Sequence, residues 1–198
     1  MCELSDLSNS ERKGRDSCEL TGDPTGACRR EGAVTASTII VWDKRVQLAG
    51  GPTSGPGVTN VLRVSCDGST PLKTLAAKIV AAAGDDKIDN LRIFAHGGSG
   101  SGGVVALCEE RLSLATVGDF ASPLLGHFSD EGRIELHSCL VARNAGVVGS
   151  AAWMLLSCLA IRSSSYVYAA EELQLIWGGK AWDPDWEGNV WIFPPTGP

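Results

Sequence analysis

In two segments of the chain, a run of strand-forming residues is followed by a chemically reactive side chain: Leu91-Arg-Ile-Phe-Ala-His96-Gly97-Gly98 and Arg133-Ile-Glu-Leu-His-Ser-Cys139. Neighbouring strands of a sheet lie ~4.8 Å apart, and ligand sites of open α/β sheets form beyond the carboxyl ends of the strands. If the two segments are neighbouring parallel strands, His96 and Cys139 meet at one edge of the sheet. The pair therefore predicts a cysteine nucleophile with a histidine base.

Strand and helix patterns alternate along the rest of the chain. Residues 72–83 carry apolar side chains at helical spacing between Pro71 and Gly84, which are typical signals for the start and the end of a helix. Such alternation is typical of βαβ units, so we expect an α/β fold, a three-layer α/β/α sandwich with a largely parallel sheet. Further helical patterns cover 117–128 and 145–160, and strand patterns cover 38–42, 61–65, 91–95, 134–137, 166–170, 173–177 and 189–193.

The chain of 198 residues has the length of one domain with a single core. Residues 1–36 are rich in charged side chains and poor in large aliphatic ones, so they bury too little apolar surface to offset the entropy of ordering the chain. We expect a flexible polar leader over 1–36 and one folded domain over 37–198.

The net charge of -6 argues against a nucleic acid or an anionic membrane as a partner, because binding to phosphates depends on clustered Lys and Arg. The amino-terminal residues lack the basic and apolar regions of a secretory signal. The longest apolar run, 145–161, contains Gly and Ser and is short for a membrane span. These features predict a soluble, cytoplasmic protein.

The chain contains seven cysteines and no CxxC pair, which indicates neither a zinc finger nor a regular disulfide framework. We therefore expect reduced thiols, no metal and no cofactor. Cys66 and Cys158 stand in apolar surroundings and are interpreted as small core residues.

Cysteine attacks as a thiolate, and a thiol with an ordinary pKa of ~8.5 is only slightly ionised at neutral pH. His96 can accept the proton, and the amino end of a helix over 145–160 would favour the negative charge. The oxyanion of an acyl-transfer reaction needs backbone N–H donors. The N–H groups of Gly97 and Cys139 are the candidates, since glycine permits a close approach of the backbone.

Two further histidines compete for a role in the site. His137 lies two residues before Cys139 and points to the same face if the strand remains regular. We interpret it as a core or supporting residue, and His127 as a partly buried structural residue.

The order strand, His96-Gly97, glycine-containing loop, short strand, helix, strand and Ser138-Cys139 resembles the caspase-hemoglobinase fold (clan CD), to which caspases, metacaspases, gingipains and separases belong. The similarity is greatest to bacterial caspase-like and CHAT-type domains, through Ile134-Glu-Leu-His-Ser-Cys-Leu-Val-Ala142, and it covers roughly 38–193. It implies that His96 is the catalytic histidine, Cys139 the nucleophile and Gly97 the oxyanion glycine. The Arg-Gly pair that follows the nucleophile of caspases is absent, so their specificity for Asp does not carry over.

In caspase-like peptidases the strand after the nucleophile helix borders the main specificity pocket. The resemblance places Ala169, Ala170, Glu171 and Glu172 at that position. The two acidic residues can bind a basic substrate side chain through charge-assisted hydrogen bonds. A solvated Glu-Glu turn is the alternative interpretation. The tryptophans 177, 182, 186 and 191 are interpreted either as walls of a peptide groove or as a lid pinned to the core.

The residue pattern and the family resemblance together predict a cysteine endopeptidase that cleaves a peptide or protein substrate through a thioacyl-enzyme. Cleavage after a basic residue is one option. The alternative is a catalytically inactive caspase-like module that binds a protein partner or scaffolds an assembly, because fold does not fix function. An α/β-hydrolase is disfavoured, because the chain lacks a Gly-x-Ser-x-Gly motif.

Overall fold

A computed structural model of the chain describes residues 37–46, 61–98, 102–172, 186 and 188–197, which all belong to one compact unit, Thr35–Pro198. The predicted leader over 1–36 and the predicted strand over 173–177 lie outside these residues, so both stay predictions.

The described residues form nine strands in two sheets, and the larger sheet is parallel except for its last strand. A smaller antiparallel sheet of three short strands follows the third strand of the chain. In spatial order the large sheet contains β2 (Val61–Cys66), β1 (Ser37–Asp43), β3 (Ile88–Phe94), β7 (Phe128–His137), β8 (Tyr166–Ala170) and the antiparallel β9 (Val190–Phe193), and the small sheet contains β4 (His96–Gly97), β5 (Val104–Ala106) and β6 (Leu112–Ser113).

Three helices connect these strands: α1 (Leu72–Ala83), α2 (Val117–Ala121) and α3 (Ala151–Ser163). The predicted helix over 72–83 is confirmed, and Gly84 ends it with a positive φ of 61°. The predicted pattern over 117–128 instead divides into α2, a 3-10 turn and the first residue of β7.

The prediction of a helix over 145–160 is wrong at its start. Gly149, inside the predicted range, has a positive φ angle of 82°, which the right-handed helix does not accommodate. Ser150 then caps α3, because its hydroxyl accepts a hydrogen bond from the backbone N–H of the third helical residue at 3.1 Å. Val148, which belongs to the apolar pattern that predicted the helix, is 76% exposed in the preceding turn.

The handedness of the connections explains where the helices lie. The chain passes from β2 to β3 through α1, from β3 to β7 through α2, and from β7 to β8 through α3, always in the same direction across the sheet. Because crossovers between parallel strands are almost always right-handed, the three helices pack on one face. Residues from each helix indeed share one core cluster with Ile39, Ile93 and Leu136 of the sheet.

Successive strand residues point to opposite faces, so the other face carries Ile40, Phe94 and His137. Among the described residues, no helix contributes to the core cluster of this face. The fold is thus mixed α/β with a mostly parallel six-stranded sheet, which is compatible with the predicted α/β/α sandwich.

Candidate functional site

The pairing of β3 with β7 brings the two reactive segments together. The strands are parallel neighbours, and Phe94 pairs with His137 at their carboxyl ends. His96 follows Phe94 by two residues, and Cys139 follows His137 by two. The predicted adjacency of the two strands is therefore confirmed.

Gly97 lies against the backbone of Cys139. A Cβ atom built on Gly97 would overlap the Cys139 carbonyl group and lie 2.9 Å from the Cys139 nitrogen. The φ angle of Gly97 is not positive, so the requirement for glycine comes from this close approach. The residue directly after His96 thus packs on the candidate nucleophile itself.

The loops after His96 and after Cys139 are joined at a second place. Gly103 N–H donates to Val141 O at 2.9 Å. A Cβ atom on Gly102 would overlap the carbonyl oxygen of Arg143, and Gly102 has a φ of 77°. Both loops therefore hold each other in place on the carboxyl edge of the sheet.

The ring of His96 is oriented by a residue that the sequence analysis missed. His96 Nε2 lies 3.2 Å from the carbonyl oxygen of Arg45, which follows β1 at the same edge of the sheet. A carbonyl oxygen accepts only, so this contact assigns the hydrogen to Nε2. In the neutral ring, Nδ1 is then the basic nitrogen.

Arg45 in turn is held by Asp43, which is fully buried. The Asp43 carboxylate accepts hydrogen bonds from Arg45 N, Nε and Nη2 at 3.0, 2.9 and 2.6 Å, and from Cys108 N at 3.1 Å. Burial alone raises the pKa of Asp43, but these hydrogen bonds outweigh it and hold the pKa below its usual range. Asp43 is therefore a carboxylate at neutral pH.

His137 is buried in an aromatic stack. Its ring lies between Phe94, with ring centroids 4.8 Å apart, and Trp186, at 4.2 Å. His137 Nε2 is 3.2 Å from Glu135 Oε2. Burial lowers the pKa of His137, and Glu135 opposes this effect only in part, so the ring is neutral near pH 7. The location agrees with the interpretation of His137 as a core residue.

Glu135 is a second buried carboxylate. It accepts a hydrogen bond from Arg92 Nε at 2.9 Å, and Arg133 Nε lies 2.7 Å from its other oxygen. Burial raises the pKa of Glu135, but His137 and the two arginines lower it by more. The pKa of Glu135 is therefore below its usual value. The aromatic stack and this ion-pair group together form the sheet face next to the candidate site.

Of the predicted substrate-binding residues, Ala169 and Ala170 end β8, and Glu171 and Glu172 follow it. The side chains of Ala169 and Ala170 are fully buried, and Ala170 O accepts from Ala142 N at 3.1 Å. Glu172 O likewise accepts from Leu140 N at 3.1 Å, directly after the candidate nucleophile. The segment that follows Cys139 is thus bound to the end of β8.

The two glutamates differ in their surroundings. Both carboxylate oxygens of Glu171 accept hydrogen bonds, from Trp191 Nε1 at 2.7 Å and from Asn189 Nδ2 at 3.2 Å. The side chain of Glu172 is exposed and packs against Gly188. Of the two, Glu172 has the more exposed side chain.

The described cysteines differ in access to solvent. Cys66 and Cys108 are buried and outside any disulfide, whereas Cys139 is partly exposed and also outside any disulfide. Hydrogen bonding to Cys66 and burial raise the pKa of the Cys108 thiol. Cys158 is buried as predicted, but it is disulfide-bonded, contrary to the expectation of reduced thiols. Among these four described cysteines, Cys139 is the most accessible thiol.

Comparison of the chain with models of protein families, with curated proteins and with solved structures found no match. Within residues 37–46, 61–98, 102–172, 186 and 188–197, no helix has the length and apolar character needed to cross a membrane. The same residues contain no group of three or more His, Cys, Asp or Glu side chains that could hold a metal ion.

Gly97→Ala should separate the two loops of the candidate site. The new Cβ atom overlaps a backbone carbonyl, so the backbone must shift, and we expect a loss of ~1–3 kcal/mol in the free energy of unfolding. The control is Gly118→Ala in α2, where a Cβ atom meets only the end of Arg162 at 3.8 Å. That variant should be neutral or gain up to ~1 kcal/mol. Equal stability of the two variants in denaturant titrations would contradict the close packing.

Acid should destabilise the protein through His137. Because burial lowers its pKa in the folded protein, the unfolded chain binds this proton at a higher pH than the folded protein does. The free energy of unfolding should therefore fall as the pH decreases below ~6.5. His137→Phe retains a ring between Phe94 and Trp186 but cannot titrate. We expect a shallower decline for this variant in denaturant titrations over about pH 5 to 7, and parallel declines would argue against this assignment.

Proposed function

We propose that this protein is a caspase-like cysteine endopeptidase with Cys139 as its nucleophile and His96 as its base. The observation that carries the proposal is the packing of the His96-Gly97 segment on the Cys139 backbone at the carboxyl edge of the parallel sheet. A partly exposed thiol in a segment that packs against a histidine-bearing loop is an arrangement that suits thiol acyl transfer.

The reaction follows from the atoms at this edge. The Cys139 thiol gives its proton to His96 Nδ1, and the sulfur forms a bond to the peptide carbonyl carbon. The peptide C–N bond then breaks, the imidazolium returns the proton to the leaving amine, and a thioester remains. A water molecule deprotonated by His96 hydrolyses the thioester and restores the thiol.

The small sheet supports Gly97 as an oxyanion donor. Gly97 pairs with Val105, and Gly98 N–H donates to Val104 O at 2.8 Å. Hydrogen-bonded and non-hydrogen-bonded pairs alternate in an antiparallel ladder, so Gly97 occupies a non-hydrogen-bonded position. Its N–H therefore points away from β5, which supports Gly97 as a donor to the oxyanion, and Cys139 N–H is the proposed second donor.

The order of elements supports the family assignment. The chain runs from β3 to His96-Gly97, through β5 and α2, to β7 and Ser138-Cys139, which is the order on which the resemblance to caspase-like peptidases rests. Peptide or protein is the expected substrate. Glu172, exposed at the end of β8, is the residue we assign to recognition of a basic side chain before the scissile bond.

Cys139→Ala and His96→Ala should each abolish peptide hydrolysis. Each should also abolish the modification of position 139 by a substrate-like chloromethyl ketone, which is measured by peptide mass spectrometry. A loss of at least ~10³-fold in kcat/KM is expected, because the nucleophile and the base act as a unit. His127→Ala is the matched control, because His127 O accepts from Ile88 N at the amino ends of β3 and β7, the opposite edge of the sheet. Unmodified Cys139 and no hydrolysis in the wild-type protein would favour the inactive partner-binding module.

Glu172→Gln should lower kcat/KM for peptides with Arg before the scissile bond by ~10-fold or more, relative to peptides with Ala there. A hydrogen bond to a charged group contributes ~1.5–3 kcal/mol, which corresponds to this loss. Glu131→Gln is the control, since Glu131 is exposed near the amino end of β7. An unchanged preference in Glu172→Gln would remove this specificity assignment without affecting the roles of Cys139 and His96.

A further inference from the structure

We propose that Asp43 and the Arg45 side chain are positioning residues that set the orientation of the His96 ring. The inference rests on the proposed function, because it assigns a role in orienting the base of that reaction. Neither residue contacts a reacting atom. Both act through the Arg45 carbonyl oxygen and through the strand that pairs with His96.

The Arg45 carbonyl lies in a turn whose shape depends on Asp43. β1 ends at Asp43, and Val46 N–H donates to Asp43 O at 2.9 Å to close the turn. Within it, the Asp43 side chain accepts from Arg45 N at 3.0 Å, which fixes the backbone directly beside the carbonyl that meets His96 Nε2. The buried carboxylate thereby determines where an acceptor for the His96 ring is located.

The guanidinium of Arg45 also holds the backbone of His96 through β5. Arg45 Nη2 donates to Ala106 O at 3.1 Å and to Cys108 O at 2.9 Å, in addition to Asp43. Ala106 is the ladder partner of His96. Arg45 therefore restrains His96 on both sides: its backbone carbonyl contacts the ring, and its side chain holds Ala106, the ladder partner of the His96 backbone.

The chemistry of the pair favours a role in geometry over a role in stability. A buried ion pair seldom stabilises a fold more than apolar residues of similar volume, because removing the charges from water is costly. Asp43 is nevertheless fully buried as a carboxylate, whereas Arg45 keeps 42% of its side chain exposed. Only the planar fork of arginine can meet both carboxylate oxygens and two carbonyl groups at once, so lysine is a poor substitute.

The test uses Arg45→Lys and Asp43→Asn in the full chain, with Lys44→Gln as the matched control on the same exposed turn. Two quantities are measured: the ¹⁵N chemical shifts of the His96 ring at about pH 8.5, where histidine is ordinarily neutral, and kcat and KM for peptide hydrolysis. The chain has three histidines, so His96 is assigned by the loss of its signals in His96→Gln.

We expect the wild-type protein and Lys44→Gln to show a single tautomer with the hydrogen on Nε2. Arg45→Lys should show mixed tautomers and a loss in kcat of about 10- to 100-fold with KM nearly unchanged, as for a misplaced catalytic group. Asp43→Asn should change in the same direction. Arg45→Lys retains a cation near Asp43, so it serves as the decisive variant if Asp43→Asn fails to fold.

A His96 tautomer that stays unchanged in Arg45→Lys would overturn the proposal. Equal displacement of the His96, His127 and His137 signals would also overturn it, since that pattern indicates general loosening of the fold. If the wild-type protein hydrolyses no peptide, the proposed function fails. The tautomer comparison still decides whether Asp43 and Arg45 orient His96, so the two failures are distinguishable.

Discussion

The parallel pairing of β3 with β7 determines where every residue of the candidate site lies. Because Phe94 pairs with His137, β3 and β7 end at the same level of the sheet and run in the same direction. The contact of Gly97 with the Cys139 backbone then allows no side chain between them. A shift of the register by one residue would move His96 away from Cys139 and turn the apolar residues of a strand to the opposite face. The core and the candidate site therefore depend on the same register.

The handedness of the crossovers gives the two faces of the sheet different character. The helices cover one face with an apolar core that includes Ile93 and Leu136. The other face carries the Glu135 ion-pair group and the aromatic stack of His137. The Glu135 group thus lies on the face from which, in the part of the chain that the structure describes, the helices are absent. Position in the sheet explains this division without any appeal to function.

The sequence was sufficient to predict features that depend on local patterns. Strand and helix periodicity identified α1 and the β3 and β7 segments, and the rule about strand ends then placed His96 beside the segment of Cys139. The start of α3 was mispredicted because 145–149 has an apolar composition, while a positive φ angle at Gly149 interrupts the helix. Single residues in that conformation leave only a weak trace in the hydrophobic pattern.

The contacts that orient His96 were not predictable from the sequence. Arg45 is separated from His96 by 51 positions, and its carbonyl oxygen, which every residue possesses, makes the contact. The segment after β5, where Cys108 N–H donates to Asp43, connects this buried carboxylate to a second element of the chain.

The two buried carboxylates, Asp43 and Glu135, connect the geometry of this edge with its electrostatics. Each is at a strand end or within a strand, each is held by arginine, and each has a pKa below its usual range despite burial. Buried ion pairs add little net stability but impose strict geometry, since removing one partner leaves an uncompensated charge. The reactive edge is thus built from interactions that define atomic positions, next to the apolar core that the helices form with the sheet. These interactions hold the loop after β3 and the loop after β7 against each other, even though both loops lie outside the regular sheet.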